Sequence, residues 1–174
     1  MYASTSEIVQ KANRLVSMCG TRDPHKIAKE VGVEVLYYPF KLQRGAYKVI
    51  MRNRFMFVKE DLHPVMENIV LLHELGHDTL HRDEATRTGG FKEFNIFDIR
   101  DSRMEYEANV FATQIALADD EFLELAERGY DIQQIAKALH SDINLVALKA
   151  DTLISRGYRL RPQEHRNDFL KYNR

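Results

Sequence analysis

The sequence has very little cysteine. Cys19 is the only cysteine among 174 residues, so the chain can form neither an intramolecular disulfide nor a zinc cluster built from thiolates. We therefore expect an intracellular, reducing environment. Cys19 itself falls near the end of the first predicted helix and is expected to be a small, buried apolar residue.

An excess of charge of one sign is missing as well. The 25 Lys and Arg residues are balanced by 26 Asp and Glu residues, and the formal net charge is -1. Binding to nucleic acid or to an anionic membrane normally draws on a basic excess, so we expect neither as a direct partner.

Long apolar stretches are also absent. The richest apolar run, residues 69–72, is far too short to span a bilayer, and the start of the chain has no basic segment leading into an apolar one. The sequence thus indicates a cytoplasmic protein without a membrane anchor. Its 44% hydrophobic and 29% charged residues are typical of a globular protein, and this length can enclose a real core.

Capping signals predict the first two helices. Ser4 and Glu7 form a capping box at the start of the first helix. Asp23, followed by a proline, caps the second helix, which ends at Gly32.

The middle of the chain predicts a small sheet and then a central helix. Segments rich in β-branched and aromatic residues indicate an antiparallel sheet of three strands, over residues 33–38, 46–51 and 55–58. Asn53 is available for the tight turn between the last two strands. A third helix begins at Pro64 and runs to about His81, and because it is apolar nearly all round it belongs in the middle of the molecule.

A long polar segment separates this helix from the later ones. Residues 82–102 predict a loop, and its aromatic residues either clamp a substrate or pack beneath the loop: Phe91, Phe94 and Phe97. Helical periodicity returns at about Arg103.

Four helices are predicted after the loop, and together with the earlier elements they give a mostly helical α+β fold in one domain, residues 1–174. Asp119 or Asp120 caps the second of these helices. Residues 131–157 form a C-terminal helical subdomain, whose small basic excess is thin for DNA binding and which we expect to dock on the rest of the domain or on a partner. Residues 161–174 form a polar tail.

The strongest chemical signal is His73-Glu74-Leu75-Gly76-His77, inside the third predicted helix. Histidines four residues apart leave the same face of a helix, so both imidazoles can reach one metal ion. Glu74 lies about 100° round the helix, beside the ion, where it can accept a proton from an attacking water. Gly76 is costly in a helix interior, which suggests that another segment approaches it closely.

A catalytic zinc of this kind needs a third protein ligand and one open position. The metzincin arrangement would place Gly at position 80 and His at position 83, but these positions hold Leu80 and Asp83. The remaining solution is a carboxylate from a following helix.

The helix that begins near Arg103 offers two such carboxylates. Glu105 shares a face with the small residues Ala108 and Ala112 and is our expected third ligand, with Glu107 as the alternative. Asn109, one turn beyond Glu105, is expected to accept a hydrogen bond from the far nitrogen of one ligand histidine.

Other residues near the motif have more than one interpretation. His81 could be a fourth ligand, an oxyanion stabiliser or a structural residue at the helix end. An oxyanion-stabilising group could also come from Tyr47, Tyr106 or Arg103. The strand over residues 46–51 is either an edge to which a substrate peptide adds or an ordinary half-buried strand.

The two motifs together resemble the ImmA/IrrE family of zinc metallopeptidases. The resemblance is carried by His73-Glu74-Leu75-Gly76-His77 continuing to His81, and by the later Glu105-x-Glu107-Ala-Asn-x-Phe-Ala. It extends over the order of elements from about residue 27 to residue 117. It implies a gluzincin-like, zincin-type fold with His73, His77 and Glu105 as zinc ligands and Glu74 as the catalytic acid/base.

The resemblance also implies a function. Members of this family cleave repressors of the helix-turn-helix type and so derepress genes of mobile elements or stress responses. We therefore expect a zinc-dependent endopeptidase whose partner is a helix-turn-helix transcriptional repressor. The alternatives are a non-catalytic zinc-containing protein that binds or senses a partner, and a zinc hydrolase of a non-peptide substrate.

Overall fold

The computed structural model describes residues 3–93 and 103–160. Within them the helices are α1 (Thr5–Cys19), α2 (Pro24–Val31), α3 (Pro64–Leu80), α4 (Arg82–Thr88), α5 (Arg103–Ala116), α6 (Asp119–Glu127), α7 (Ile132–Ala138) and α8 (Ile143–Ser155). The strands are β1 (Glu34–Tyr38), β2 (Gly45–Ile50), β3 (Asn53–Lys59) and β4 (Phe91–Glu93). The predicted mostly helical α+β fold is confirmed. None of the described helices is long and apolar enough to cross a membrane.

The predicted helix caps are present in most cases. Ser4 and Glu7 form the capping box of α1, and Asp23 accepts hydrogen bonds at the start of α2. The prediction that Asp119 or Asp120 caps α6 was wrong, because Ala118 occupies the N-cap position and Asp119 is the first helical residue. Cys19, at the end of α1, is partly rather than fully buried, and burial raises the pKa of its thiol.

The sheet is mixed, so the prediction of an antiparallel sheet of three strands was wrong. The strand order is β1-β3-β2-β4, and β1 pairs with β3 in parallel, whereas β2 is antiparallel to both β3 and β4. The short turn between β2 and β3 predicts that these two strands pair. It does not predict the partner of β1, which depends on the path of the connection over residues 39–44. The short strand β4 and helix α4 both come from the segment that we expected to be a loop.

The turn between β2 and β3 lies one step earlier than expected. Met51 and Arg52 both have positive φ angles, of 51° and 68°, and Ile50 faces Asn53 across the hairpin. Two consecutive residues with positive φ are characteristic of a type I′ turn, which normally favours Gly or Asn. Asn53, which we expected in the turn, is instead the first residue of β3.

Helix α3 occupies the centre of the molecule, as its composition predicts. One face of the sheet packs on it through Tyr47, Met56 and Val58, and α5 packs on another side of the helix. Every residue from Ile69 to Asp78 is buried. The segment from His73 to His77 is therefore embedded between the sheet and α5.

The C-terminal helices contribute to the same hydrophobic core. Leu145, Val146 and Leu153 of α8 belong to one cluster of buried residues with Phe111 of α5. The single domain over residues 1–174, with a subdomain at 131–157, stays a prediction. The predicted polar tail at 161–174 lies outside the described residues.

An ion pair between a buried lysine and a partly exposed aspartate joins α8 to the start of α6. The ammonium group of Lys149, which is inaccessible to solvent, donates to Asp119 and to Gln114 Oε1 at 2.8 Å. Arg156 also contacts Asp119, at 2.7 Å. Burial alone would raise the pKa of Asp119, but hydrogen bonds from Arg156 and Lys149 outweigh it and lower this pKa to about 2.

We expect Asp119→Ala to lower the free energy of unfolding by about 3–5 kcal/mol, because Lys149 stays buried without a counter-charge. The double variant Asp119→Ala/Lys149→Met removes both charges and should recover much of this loss. Urea unfolding of the three proteins measures both values. Equal destabilisation of the single and double variants would contradict the argument.

Candidate metal centre

The site depends on a close approach between α3 and α5. A Cβ atom at Gly76 would lie 3.0 Å from the Cα atom and 3.1 Å from the carbonyl oxygen of Ala108. Backbone atoms of a packed helix cannot move aside easily, so any larger residue at position 76 would force the helices apart. This contact is the close approach that the sequence suggested for Gly76.

Three side-chain atoms from the two helices converge at one point. His77 Nε2 lies 3.0 Å from His73 Nε2, and Glu105 Oε2 lies 3.1 Å from His73 Nε2 and 3.4 Å from His77 Nε2. Atoms that coordinate one zinc ion at 2.0–2.2 Å in a tetrahedron are about 3.3 Å apart. His73, His77 and Glu105 therefore have the spacing to hold a metal ion.

The far nitrogen of His73 is bound to α5. Asn109 Oδ1 lies 2.9 Å from His73 Nδ1. An amide oxygen only accepts hydrogen bonds, so Nδ1 carries the proton and the lone pair of Nε2 faces the convergence point. The predicted hydrogen bond between Asn109 and a motif histidine is confirmed.

The far nitrogen of His77 begins a longer chain of hydrogen bonds. His77 Nδ1 lies 3.1 Å from His81 Nδ1, and His81 Nε2 lies 3.1 Å from Glu107 Oε2. Arg103 Nε donates to the other oxygen of Glu107 at 3.1 Å. Both ring nitrogens of His81 are thus directed at protein groups, and His81 is not among the three converging residues.

The charge states of the converging residues suit a cation. Burial lowers the pKa of His77 to about 4, so its imidazole is neutral at neutral pH. Burial alone would raise the pKa of Glu105, but its contacts with His73 and His77 outweigh this and hold that pKa well below its usual value. Two imidazoles and one carboxylate are the ligand chemistry of a catalytic zinc site with an open position.

Glu74 is fully buried, and its carboxylate lies against β2. A Cβ atom at Gly45 would lie 2.5 Å from Glu74 Oε1 and 2.7 Å from Val70 Cγ1. The missing side chain at Gly45 therefore provides the space that the carboxylate occupies. Glycine is required here by close approach rather than by an unusual φ angle.

The strand β4 covers one side of the histidines. The ring of Phe91 stacks on His77, with centroids 4.2 Å apart and planes inclined by 17°. Gly90, with φ of 107°, allows this approach, because a Cβ atom there would lie 2.3 Å from the carbonyl oxygen of Tyr47. Of the three aromatic residues predicted in the loop, Phe91 packs against the hydrophobic core and His77. Phe94 and Phe97 lie outside the described residues.

The pairing of β4 also changes the interpretation of β2. Residues 45–47 of β2 pair with β3 on one side and β4 on the other, so this half of the strand is internal to the sheet. The strand over residues 46–51 is therefore not a free edge at the end nearest to the histidines.

Tyr47 is not directed towards the convergence point. Its hydroxyl donates to Asp78 Oδ1 at 2.6 Å, and burial together with this hydrogen bond raises its pKa well above the usual value. Arg54 and Arg82 also donate to Asp78, at 2.9 Å and 3.0 Å. This network fixes the end of α3 to the sheet and to α4, and we assign Tyr47 to it rather than to oxyanion stabilisation.

The fold and the site have the layout of a peptidase domain with a His-Glu-x-x-His helix. The chain belongs to the family described as the IrrE N-terminal-like domain of peptidase family M78, whose model matches residues 28–150. The family inferred from the motifs is thus confirmed.

One relative comes from a bacteriophage. The chain is 31% identical over 109 residues to "Uncharacterized immunity region protein 2" of Bacillus phage phi105. The alignment covers 61% of this chain and 65% of that relative, which is less than two thirds of its length.

Sequence reasoning found the converging residues but not their surroundings. It preferred Glu105 over Glu107 on helical geometry, and the structure places Glu105 beside His73 and His77. It did not foresee that Glu107 binds His81. The available signal was the pair of acidic residues two positions apart at the start of a mostly apolar helix. Such a helix can be buried on both sides, and a second buried carboxylate then needs a polar partner of its own.

We expect Tyr47→Phe to lower the free energy of unfolding by about 1–3 kcal/mol, because a buried hydrogen bond to a carboxylate is lost. Metal content after reconstitution should not change, since Tyr47 donates to Asp78 and not to the converging atoms. Urea unfolding and elemental analysis measure the two effects. Unchanged stability with lost metal would contradict the assignment of Tyr47 to the Asp78 network.

Proposed function

We propose that this protein is a zinc-dependent endopeptidase, with His73, His77 and Glu105 as metal ligands and Glu74 as the catalytic acid/base. The observation that carries the proposal is the convergence of three acceptor atoms, His73 Nε2, His77 Nε2 and Glu105 Oε2, at separations of 3.0–3.4 Å. A cation between three such atoms is attracted to each of them. Membership of a peptidase family supports the same assignment.

Zinc, when bound, supplies a Lewis acid that polarises a peptide carbonyl and acidifies water. The residues of the chain supply the rest of the chemistry. His73, His77 and Glu105 hold the ion and leave one position open for reactants. Glu74 takes the proton from the attacking water and passes it to the amine that leaves when the peptide bond breaks.

The substrate that we propose is a transcriptional repressor of the helix-turn-helix type. The support is the family likeness together with the name of the phage relative, which places that relative in an immunity region. Cleavage of such a repressor would derepress the genes of a mobile element or a stress response. We also propose that the protein acts in the cytoplasm, where its substrate would be.

The rival proposal, a non-catalytic partner-binding protein with a closed metal site, has less support. A closed site would need a fourth protein ligand, and His81 is the nearest candidate. Its two ring nitrogens lie 3.1 Å from His77 and 3.1 Å from Glu107, so it is engaged elsewhere.

We expect wild-type protein, purified without added zinc or chelator, to contain about one zinc per chain. Glu105→Gln should lose the metal, because a charged ligand is removed, whereas Glu107→Gln should keep it. Elemental analysis of the three proteins measures the content. A folded, zinc-supplemented wild type without metal would refute the proposal, and metal kept by Glu105→Gln but lost by Glu107→Gln would refute the choice of Glu105.

We expect Glu74→Gln to keep the zinc and to lose cleavage of the repressor, because the amide cannot take up the proton. Gly45→Ala should also keep the zinc but lose about 100-fold in cleavage rate, because its Cβ atom displaces the Glu74 carboxylate. Incubation with a purified helix-turn-helix repressor that the wild type cleaves, followed by mass spectrometry, measures cleavage. Full cleavage by Glu74→Gln would remove its assigned role.

A further inference from the structure

With a neutral His81, the contacts of His81 and Glu107 permit one distribution of protons. Glu107 Oε1 accepts from the guanidinium group of Arg103 at Nε, and a carboxylate paired with a cation in this way only accepts hydrogen bonds. His81 Nε2, 3.1 Å from Glu107 Oε2, must therefore carry a proton. In the neutral imidazole, His81 Nδ1 is then an acceptor.

The same reasoning continues to His77. His81 Nδ1 lies 3.1 Å from His77 Nδ1, and because His81 accepts, His77 Nδ1 donates. The lone pair of His77 Nε2 is then free and points at the convergence point. The proton positions thus follow from a carboxylate two side chains away.

We propose that His81 and Glu107 are positioning residues, which act through His77 by fixing its tautomer and ring orientation so that Nε2 is presented to the metal. This inference rests on the proposed function, in which His77 is a metal ligand. The arrangement has a counterpart at His73, where Asn109 accepts from Nδ1. Each motif histidine is therefore oriented by a different residue of α5, on either side of Ala108.

Because His81 and Glu107 are buried, water cannot easily replace the hydrogen bonds that link them to His77. His81 is 7% exposed and Glu107 is 3% exposed. Phe91 stacks on His77 and contacts the edge of His81, with ring centroids 6.1 Å apart, so an aromatic ring covers one side of the pair. His81 is also held by its backbone, whose N–H donates to the carbonyl oxygen of His77 at 2.9 Å.

The variants are chosen to separate orientation from simple loosening of the fold. Glu107→Leu removes the acceptor for His81 Nε2, whereas Glu107→Gln keeps an acceptor oxygen. Phe111→Leu, one turn further along α5, is the matched control, because Phe111 is buried in the core and its change creates a cavity without touching the hydrogen-bonded chain. Thermal unfolding of each full-length protein records the loss of stability.

The first measurement is a long-range ¹H–¹⁵N correlation spectrum of the histidine side chains in metal-free protein. In the wild type we expect the proton of His77 on Nδ1 and that of His81 on Nε2. Glu107→Leu should redistribute both protons, and Glu107→Gln should largely keep them. A wild-type spectrum with the His77 proton on Nε2 would overturn the inference without any variant.

The second measurement is zinc affinity by competition with a chelator. We expect Glu107→Leu to weaken binding about 10–100-fold, because partners of ligand histidines contribute to this extent. Glu107→Gln and Phe111→Leu should stay close to wild type. A loss in Glu107→Leu no greater than in Phe111→Leu would overturn the inference while the proposed function stands. A wild type without measurable zinc affinity would overturn both the proposed function and this inference.

Discussion

The contact between Gly76 and Ala108 is the constraint on which the rest of the site depends. It brings the axis of α5 close enough to α3 for Glu105 to reach the two motif histidines. Glycine in the interior of a helix costs about 1 kcal/mol relative to alanine. At this position the cost is accepted because a methyl group would separate the two helices that share the candidate metal centre.

A buried polar site needs a partner for each of its groups, and α5 provides most of them. Its first two turns supply Glu105 for the convergence point, Glu107 for His81 and Asn109 for His73. The three residues lie on both flanks of Ala108, so one close contact positions all of them. The sheet supplies the other side, with the space at Gly45 for Glu74 and the ring of Phe91 on His77.

Much of this could be predicted from local sequence signals. Caps such as Ser4 with Glu7 act within one turn, and the four-residue spacing of His73 and His77 is a property of the helix itself. The parallel pairing of β1, the strand β4 and the contact of Glu107 with His81 could not be predicted in this way. Each depends on segments that are separated in the chain and meet in the folded protein.

The orientation of the motif histidines has an energetic consequence for the whole fold. Asn109 and the His81–Glu107 pair hold both Nε2 lone pairs towards each other and towards the Glu105 carboxylate. In the proposed metal-bound protein, a cation at this point would be attracted to all three atoms. Because the unfolded chain has no such preformed site, the free energy of metal binding adds to the free energy of unfolding. Under the proposed function, the hydrogen bonds that orient these histidines would thereby couple the stability of the central helix pair to the metal.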